Sequence, residues 1–151
     1  MNVLLRPATG DDLASLVSLE AQTFSAPWSE TALASHIAAG HALTLLLLED
    51  ETPVGYLLAG FSPPEGELYR IGVLPDRRRR GYGRRLLDGF FRTAEEREVY
   101  TLYLEVRESN GAAISLYRSA GFREIFLREN YYRDPTEAAL VMTIGRPKES
   151  V

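Results

Sequence analysis

The chain contains no cysteine. That excludes disulfides, thiolate metal sites, redox pairs and a cysteine nucleophile at once. Long apolar runs are missing too: the stretch over residues 42–48 is far short of the roughly 20 residues a membrane helix needs, so neither a spanning helix nor a membrane partner is expected. The opening residues, Met1 to Arg6, place no basic segment ahead of an apolar core and do not read as a secretory signal, so the cytoplasm is the expected compartment. Histidine is scarce. His36 and His41 have no Ser-His-Asp pattern around them and are expected to be structural or surface residues, and no ligand cluster suggests a metal. Internal repeats and low-complexity tracts are likewise absent.

What is present is an ordinary folding composition, 45% hydrophobic and 25% charged over 151 residues, which fits one domain over 1–151 and excludes disorder or a fibre. The net charge of −4 argues against a direct nucleic-acid binder. Its distribution is uneven. Six of the 17 basic residues (Arg77, Arg78, Arg79, Arg80, Arg84 and Arg85) fall within nine positions that hold no acid. One compact anionic ligand at that spot, and cationic partners for the acidic remainder, are the expectation; the competing view is a solvated basic turn.

Hydrophobic periodicity gives the elements. A short strand over 2–6 is followed by Thr9 and Asp12 at capping-box spacing and by Leu13, Leu16, Val17, Ala21 and Phe24 at helical spacing. Ser29 starts a second helix that runs to about Gly40. Apolar runs over 42–48 and 54–61 flank a turn and predict a hairpin, and a further strand spans 67–73. Leu86, Leu87, Phe90, Phe91 and Ala94 mark a helix from Gly81 to about Arg97. Residues 101–107 alternate cleanly, with Leu102, Leu104 and Val106 on one face and Tyr103, Glu105 and Arg107 on the other. A helix from Ser109-Asn110 to Gly121 and strands over 122–127 and 138–144 complete the chain, the last two separated by a polar segment from Arg128. The order β-α-α-β-β-β-α-β-α-β-β combines hairpins with crossover helices, which implies an α+β or mixed α/β domain with a mixed sheet.

The strongest local signal is the strand end Ile71-Gly72-Val73-Leu74-Pro75 running into Arg78-Arg79-Arg80-Gly81-Tyr82-Gly83-Arg84, where a helix opens. Unpaired amides at a helix start, with nearby arginine, form a site for phosphate. No P-loop occurs, and Leu86 stands where a dinucleotide fingerprint needs its third glycine. The segment resembles the pyrophosphate loop of the Gcn5-related N-acetyltransferases, Gln/Arg-x-x-Gly-x-Gly/Ala after a Val-x-Pro strand end. The resemblance continues through residues 104–110, 113–117, Gly121-Phe122 and 128–132, and together with residues 24–29 it looks like the bacterial ribosomal-protein-alanine branch of that family.

The resemblance implies a GNAT-like domain, a central, mostly antiparallel twisted sheet flanked by about four helices, and acetyl-CoA as cofactor. It implies that main-chain groups of Ile71, Gly72 and Val73 meet the pantetheine arm and polarise the thioester carbonyl. Residues 78–84 (Arg78, Arg79, Arg80, Gly81, Tyr82, Gly83, Arg84) would then cradle the pyrophosphate, and Asn110 would touch the cofactor arm. Glu105 would be the general base and Tyr117 the proton donor to the leaving thiolate, with Glu67 a second candidate base or acceptor-orienting group. Trp28, Tyr131 and Tyr132 would border the acceptor, a protein or peptide N-terminus, expected to be the alanine of a basic ribosomal protein. The chemistry is consistent on its own terms: an α-amine titrates near pH 8 and is within reach of a carboxylate base, whereas lysine near 10.4 is harder. Core or loop packing is the competing role for Tyr117, Trp28, Tyr131 and Tyr132, and solvent exposure for Glu105. A small-amine acetyltransferase and a non-catalytic acyl-CoA-binding module are the competing functions. Gly72, where alanine is usual, Ala138, where aspartate is common, and the fourth consecutive arginine depart from the family pattern.

Overall fold

The computed structural model describes residues 1–145; the last six residues of the expected 1–151 span lie outside the described residues. Strands β1 (Val3–Pro7), β2 (Ala42–Glu49), β3 (Thr52–Ser62), β4 (Glu65–Val73), β5 (Thr101–Arg107), β6 (Arg123–Tyr132) and β7 (Glu137–Gly145) form one sheet in the order β1-β2-β3-β4-β5-β7-β6. Every neighbouring pair is antiparallel except β4 and β5. Helices α1 (Leu13–Thr23) and α2 (Glu30–Ala38) precede β2, α3 (Tyr82–Glu96) links β4 to β5, and α4 (Gly111–Ser119) follows β5. No described helix is long and apolar enough to cross a membrane.

Local chemistry sets the boundaries. The Thr9 amide donates to the Asp12 carboxylate at 2.8 Å, completing a capping box around a 3-10 turn that leads into α1. Ser29 Oγ accepts the Ala32 amide at 3.1 Å to start α2. Asp50 and Glu51 both have positive φ, the mirror-image turn that matches strand twist, and so extend the β2–β3 hairpin almost to its tip. The strand expected over 122–127 instead runs on to Tyr132. As the sheet's outer strand, exposed from Arg123 to Tyr131, β6 carries no buried alternation by which its length can be read.

The sheet is covered on both faces. Leu86, Leu87, Phe90, Phe91 and Ala94 of α3 pack on Leu45, Leu47, Leu57, Leu102 and Leu104, and Ile114 and Tyr117 of α4 join the same core. Leu16 and Leu19 of α1 and Leu33 of α2 pack on Leu46, Leu48, Tyr56 and Leu58 on the opposite face. Strand β2 is thus apolar on both sides, which is why it reads as a continuous run rather than an alternation.

Candidate active site

The site grows from a fork in the sheet. Strands β4 and β5 pair in parallel only from Glu65 with Thr101 to Leu68 with Leu104. Beyond that point residues 69–73 pair with β3 alone and residues 105–107 with β7 alone. A β-bulge accompanies the split: Leu58 faces Arg70 and Ala59 faces Leu68, so Tyr69 is the extra residue on β4. The bulge also shifts the alternation, so that Leu68, Ile71 and Val73 all pack toward the α3 face. The fork leaves main-chain groups on the facing edges of β4 and β5 without a strand partner, at the carboxyl ends of two parallel strands, where open sheets bind ligands.

Glu105 is the first residue of β5 past the end of that pairing. It lines a cavity of about 650 Å3 together with Glu65, Glu67, Tyr69, Phe126 and Arg128. Arg128 Nε stands 3.8 Å from Glu105 Oε1. Burial, and then the charge of Glu105, push the Glu67 carboxyl above its ordinary range, so the two carboxylates feel each other across the cavity. Tyr131 is raised first by a hydrogen bond to Glu105. Burial, followed by Glu105, pushes Tyr132 up to about 12. Both phenols therefore keep their protons beside Glu105 at neutral pH. The guanidinium of Arg107 lies 4.4 Å over the Tyr132 ring and the two tyrosine rings meet edge to face at 5.1 Å.

Tyr117 sits in the apolar core with its ring 5.9 Å from Phe122. Burial raises its pKa, with Tyr132 the next cause. Asn110 Oδ1 accepts the Ala113 amide at 3.2 Å and caps α4.

Between Val73 and α3 lies the basic loop. The amides of residues 78–84 make no hydrogen bond within the described residues. Arg79 and Gly81 both have left-handed backbone, with φ of 64° and 79°, a conformation from which main-chain amides build anion-binding concavities. The arginine side chains divide. Arg77 and Arg80 pair with Glu49, Arg84 pairs with Asp88 at 3.0 Å, and Arg78 Nε donates to the Val73 carbonyl at 3.2 Å. Arg79 and Arg85 have no such partner among the described residues. Free amides with two uncommitted cations beside a one-sided β-edge suit a long ligand ending in a pyrophosphate. Gly72 belongs to that edge, and a Cβ there would lie 2.6 Å from the Tyr56 ring, which accounts for glycine at a position where alanine is usual.

Trp28 lies on the loop between α1 and α2, its ring 5.6 Å from His36 and 6.1 Å from Tyr69. His36 is buried and its Nε2 bonds the Leu43 carbonyl at 3.0 Å, whereas His41 lines the cavity. Sequence reasoning missed the group that holds this loop. Glu20, fully buried in α1, accepts the Trp28 amide at 2.7 Å, Arg70 Nη1 at 3.3 Å and the Tyr56 hydroxyl. Arg70 in turn donates to the Ala26 carbonyl at 3.0 Å and stacks 4.1 Å over Phe24. A glutamate four residues after Leu16, on the core-facing stripe of a helix, was the available signal. Arg128 and Tyr69 were also missed, because only the folded sheet brings them to Glu105.

Residues 13–122 match the acetyltransferase (GNAT) family. The ribosomal protein bS18-alanine N-acetyltransferase of Escherichia coli (strain K12) is 38% identical over 135 residues, 88% of this chain and 90% of that protein. The N-alpha-acetyltransferase RimI of Mycobacterium tuberculosis is 39% identical over 137 residues, 87% of this chain and 85% of that protein. Among solved structures, the ribosomal-protein-S18-alanine N-acetyltransferase from Escherichia coli superposes with a TM-score of 0.92 at 34% identity, covering 99% of this chain and 97% of that one.

Proposed function

The chain belongs to the GNAT acetyltransferase family and is an acetyl-CoA-dependent N-acetyltransferase, and from that premise we propose that its acceptor is the N-terminal alanine of a ribosomal protein. The observation that carries the reading is the position of Glu105, at the branch of the fork and on the wall of an acidic cavity beside Glu67. Glu105 takes the proton from the incoming α-ammonium, directly or through water, and Glu67 orients the amine. Tyr117 supplies the proton to the departing sulfur from a hydroxyl that burial keeps protonated. Main-chain groups of Ile71, Gly72 and Val73 bind the cofactor arm and polarise the carbonyl. The amides of residues 78–84 and the free arginines of the loop hold the pyrophosphate, and Asn110, besides capping α4, borders the arm. Acetyl-CoA supplies an activated acyl thioester, and with no cysteine in the chain the amine attacks it directly in a ternary complex.

Trp28, Tyr131 and Tyr132 border the acceptor's first residues, and Glu65, Glu67 and Glu105 favour a basic peptide over an acidic one. Such an acceptor places the enzyme in the cytoplasm, where ribosomal proteins are made. The relatives named for this reaction on ribosomal protein bS18 support the choice of acceptor. Thiol release from acetyl-CoA tests it, with a short basic peptide bearing a free N-terminal alanine, its N-blocked twin carrying lysines, and small polyamines. Turnover confined to the free alanine terminus is expected. Turnover with the blocked peptide or with polyamines instead would move the acceptor to another class.

A further inference from the structure

Four consecutive arginines exceed what a pyrophosphate loop requires, and one buried carboxylate accounts for the excess. Glu49, the last residue of β2, is only 8% exposed. Its Oε1 accepts Arg77 Nε at 3.1 Å, and its Oε2 accepts Arg80 Nη1 at 3.0 Å and the Tyr82 hydroxyl. Those donors come from the entry of the basic loop, its middle and the first residue of α3. They bracket most of the amides left free between residues 78 and 84. Buried next to two guanidiniums, the carboxylate stays ionised: the Tyr82 hydrogen bond, then Arg80 and Arg77, hold its pKa below the ordinary range. Arg77 also pairs with Asp76 at 2.7 Å and both arginines stay partly exposed, so what the carboxylate uniquely supplies is a shared anchor that ties three donors of the loop to the end of β2, and the set behaves as a clamp.

We propose that Glu49 is a positioning residue for the pyrophosphate loop: by tying Arg77, Arg80 and Tyr82 to the end of β2 it fixes the loop backbone and leaves Arg79 and Arg85 as the side-chain cations for the ligand. The proposal rests on residues 78–84 being the pyrophosphate site. Its sign is informative. A carboxylate acting only through its charge would repel a nearby pyrophosphate, and its neutralisation would tighten binding; a clamp predicts the opposite.

The test is calorimetric titration of the full chain with CoA, comparing the wild type, Glu49→Gln and Tyr82→Phe. Loss of the ionised acceptor in Glu49→Gln is expected to weaken CoA binding about tenfold, and loss of a single donor in Tyr82→Phe about threefold. KM for acetyl-CoA should rise in step while kcat holds within about twofold, because the carboxylate does not touch the reacting atoms. KM for S-acetylpantetheine, which lacks the pyrophosphate, should not change. Equal or tighter CoA binding by a Glu49→Gln protein with a cooperative thermal transition would overturn the proposal, as would an equal penalty on both donors. Should Glu49→Gln fail to fold, the CoA affinity of Tyr82→Phe decides, and an unchanged value counts against the clamp. A wild-type chain that bound no CoA would instead refute the loop assignment, and the clamp with it.

Discussion

Glu105 and Tyr117 differ in what surrounds them, and the difference sets the pH behaviour. Glu105 stands at a cavity wall, with Arg128 and Tyr131 beside it. Tyr117 is sunk in the apolar core, and its phenol is pushed above the ordinary tyrosine range by burial. In its proposed role as a donor it works only while protonated, so a raised pKa moves the loss of activity to higher pH. The profile of kcat/KM should rise as the acceptor amine deprotonates near pH 8 and then hold level to about pH 10, past the point where an unshifted tyrosine begins to fail. A falling limb centred below pH 10 that disappears in Tyr117→Phe would contradict the assignment. Glu105→Gln should lower kcat by about 10²–10⁴-fold, as loss of a general base does, with CoA affinity unchanged.

At the scale of elements, the loop that carries Trp28 depends on a group that is remote from it in sequence. Glu20 joins the Trp28 amide to Tyr56 and Arg70, and Tyr56 lies against Gly72 on the edge proposed to bind the cofactor arm. One buried carboxylate therefore connects both halves of the proposed site. Glu20→Ala removes the acceptor shared by Arg70, Tyr56 and the Trp28 amide, of which Arg70 keeps the Ala26 carbonyl and Tyr56 the Thr23 hydroxyl, and should cost about 3 kcal/mol, at the lower end for a broken buried pair. In a chain of this length that is a fall in Tm of about 6–12 °C. Glu20→Gln keeps an acceptor for the Trp28 amide and should retain more of the stability, while raising KM for peptide more than KM for acetyl-CoA. Equal thermal midpoints for wild type and Glu20→Ala would show the network to be inert. Such links were illegible in the sequence because Glu20 and Arg70 are 50 positions apart. What could be read was local: the Thr9–Asp12 capping box, the Ser29 cap, and the alternation of β5 that puts Glu105 opposite Leu104. The bulge at Tyr69 and the full length of β6 escaped, the first because register is a property of two strands and the second because an exposed outer strand has no buried face to mark it.

Over the whole molecule, charge is separated along the fork. The loop over residues 77–85 carries six arginines, whereas the cavity at the fork presents Glu65, Glu67 and Glu105 against Arg128. The chain as a whole is acidic at −4, so beyond the loop its field attracts cations. On the proposed reading an anionic cofactor and a basic acceptor are thus drawn to different ends of one site, and neither is drawn to the other's place. Glu49 and Asp76 between them offset Arg77 and Arg80, and Asp88 offsets Arg84, which makes the loop less cationic than its composition implies. Steering of the peptide acts through solvent and is screened over roughly 10 Å at 0.1 M salt. Raising salt from about 0.05 to 0.5 M should therefore lower kcat/KM for a basic alanine peptide several-fold, and much less for a neutral peptide of equal length, with kcat the same for both. Glu65→Gln, which removes a cavity-wall charge lying away from the branch of the fork, should flatten that salt dependence for the basic peptide alone. If both peptides lost kcat/KM in parallel, the acidic wall would have no part in choosing the acceptor, and selectivity would have to come from the contacts of Trp28, Tyr131 and Tyr132.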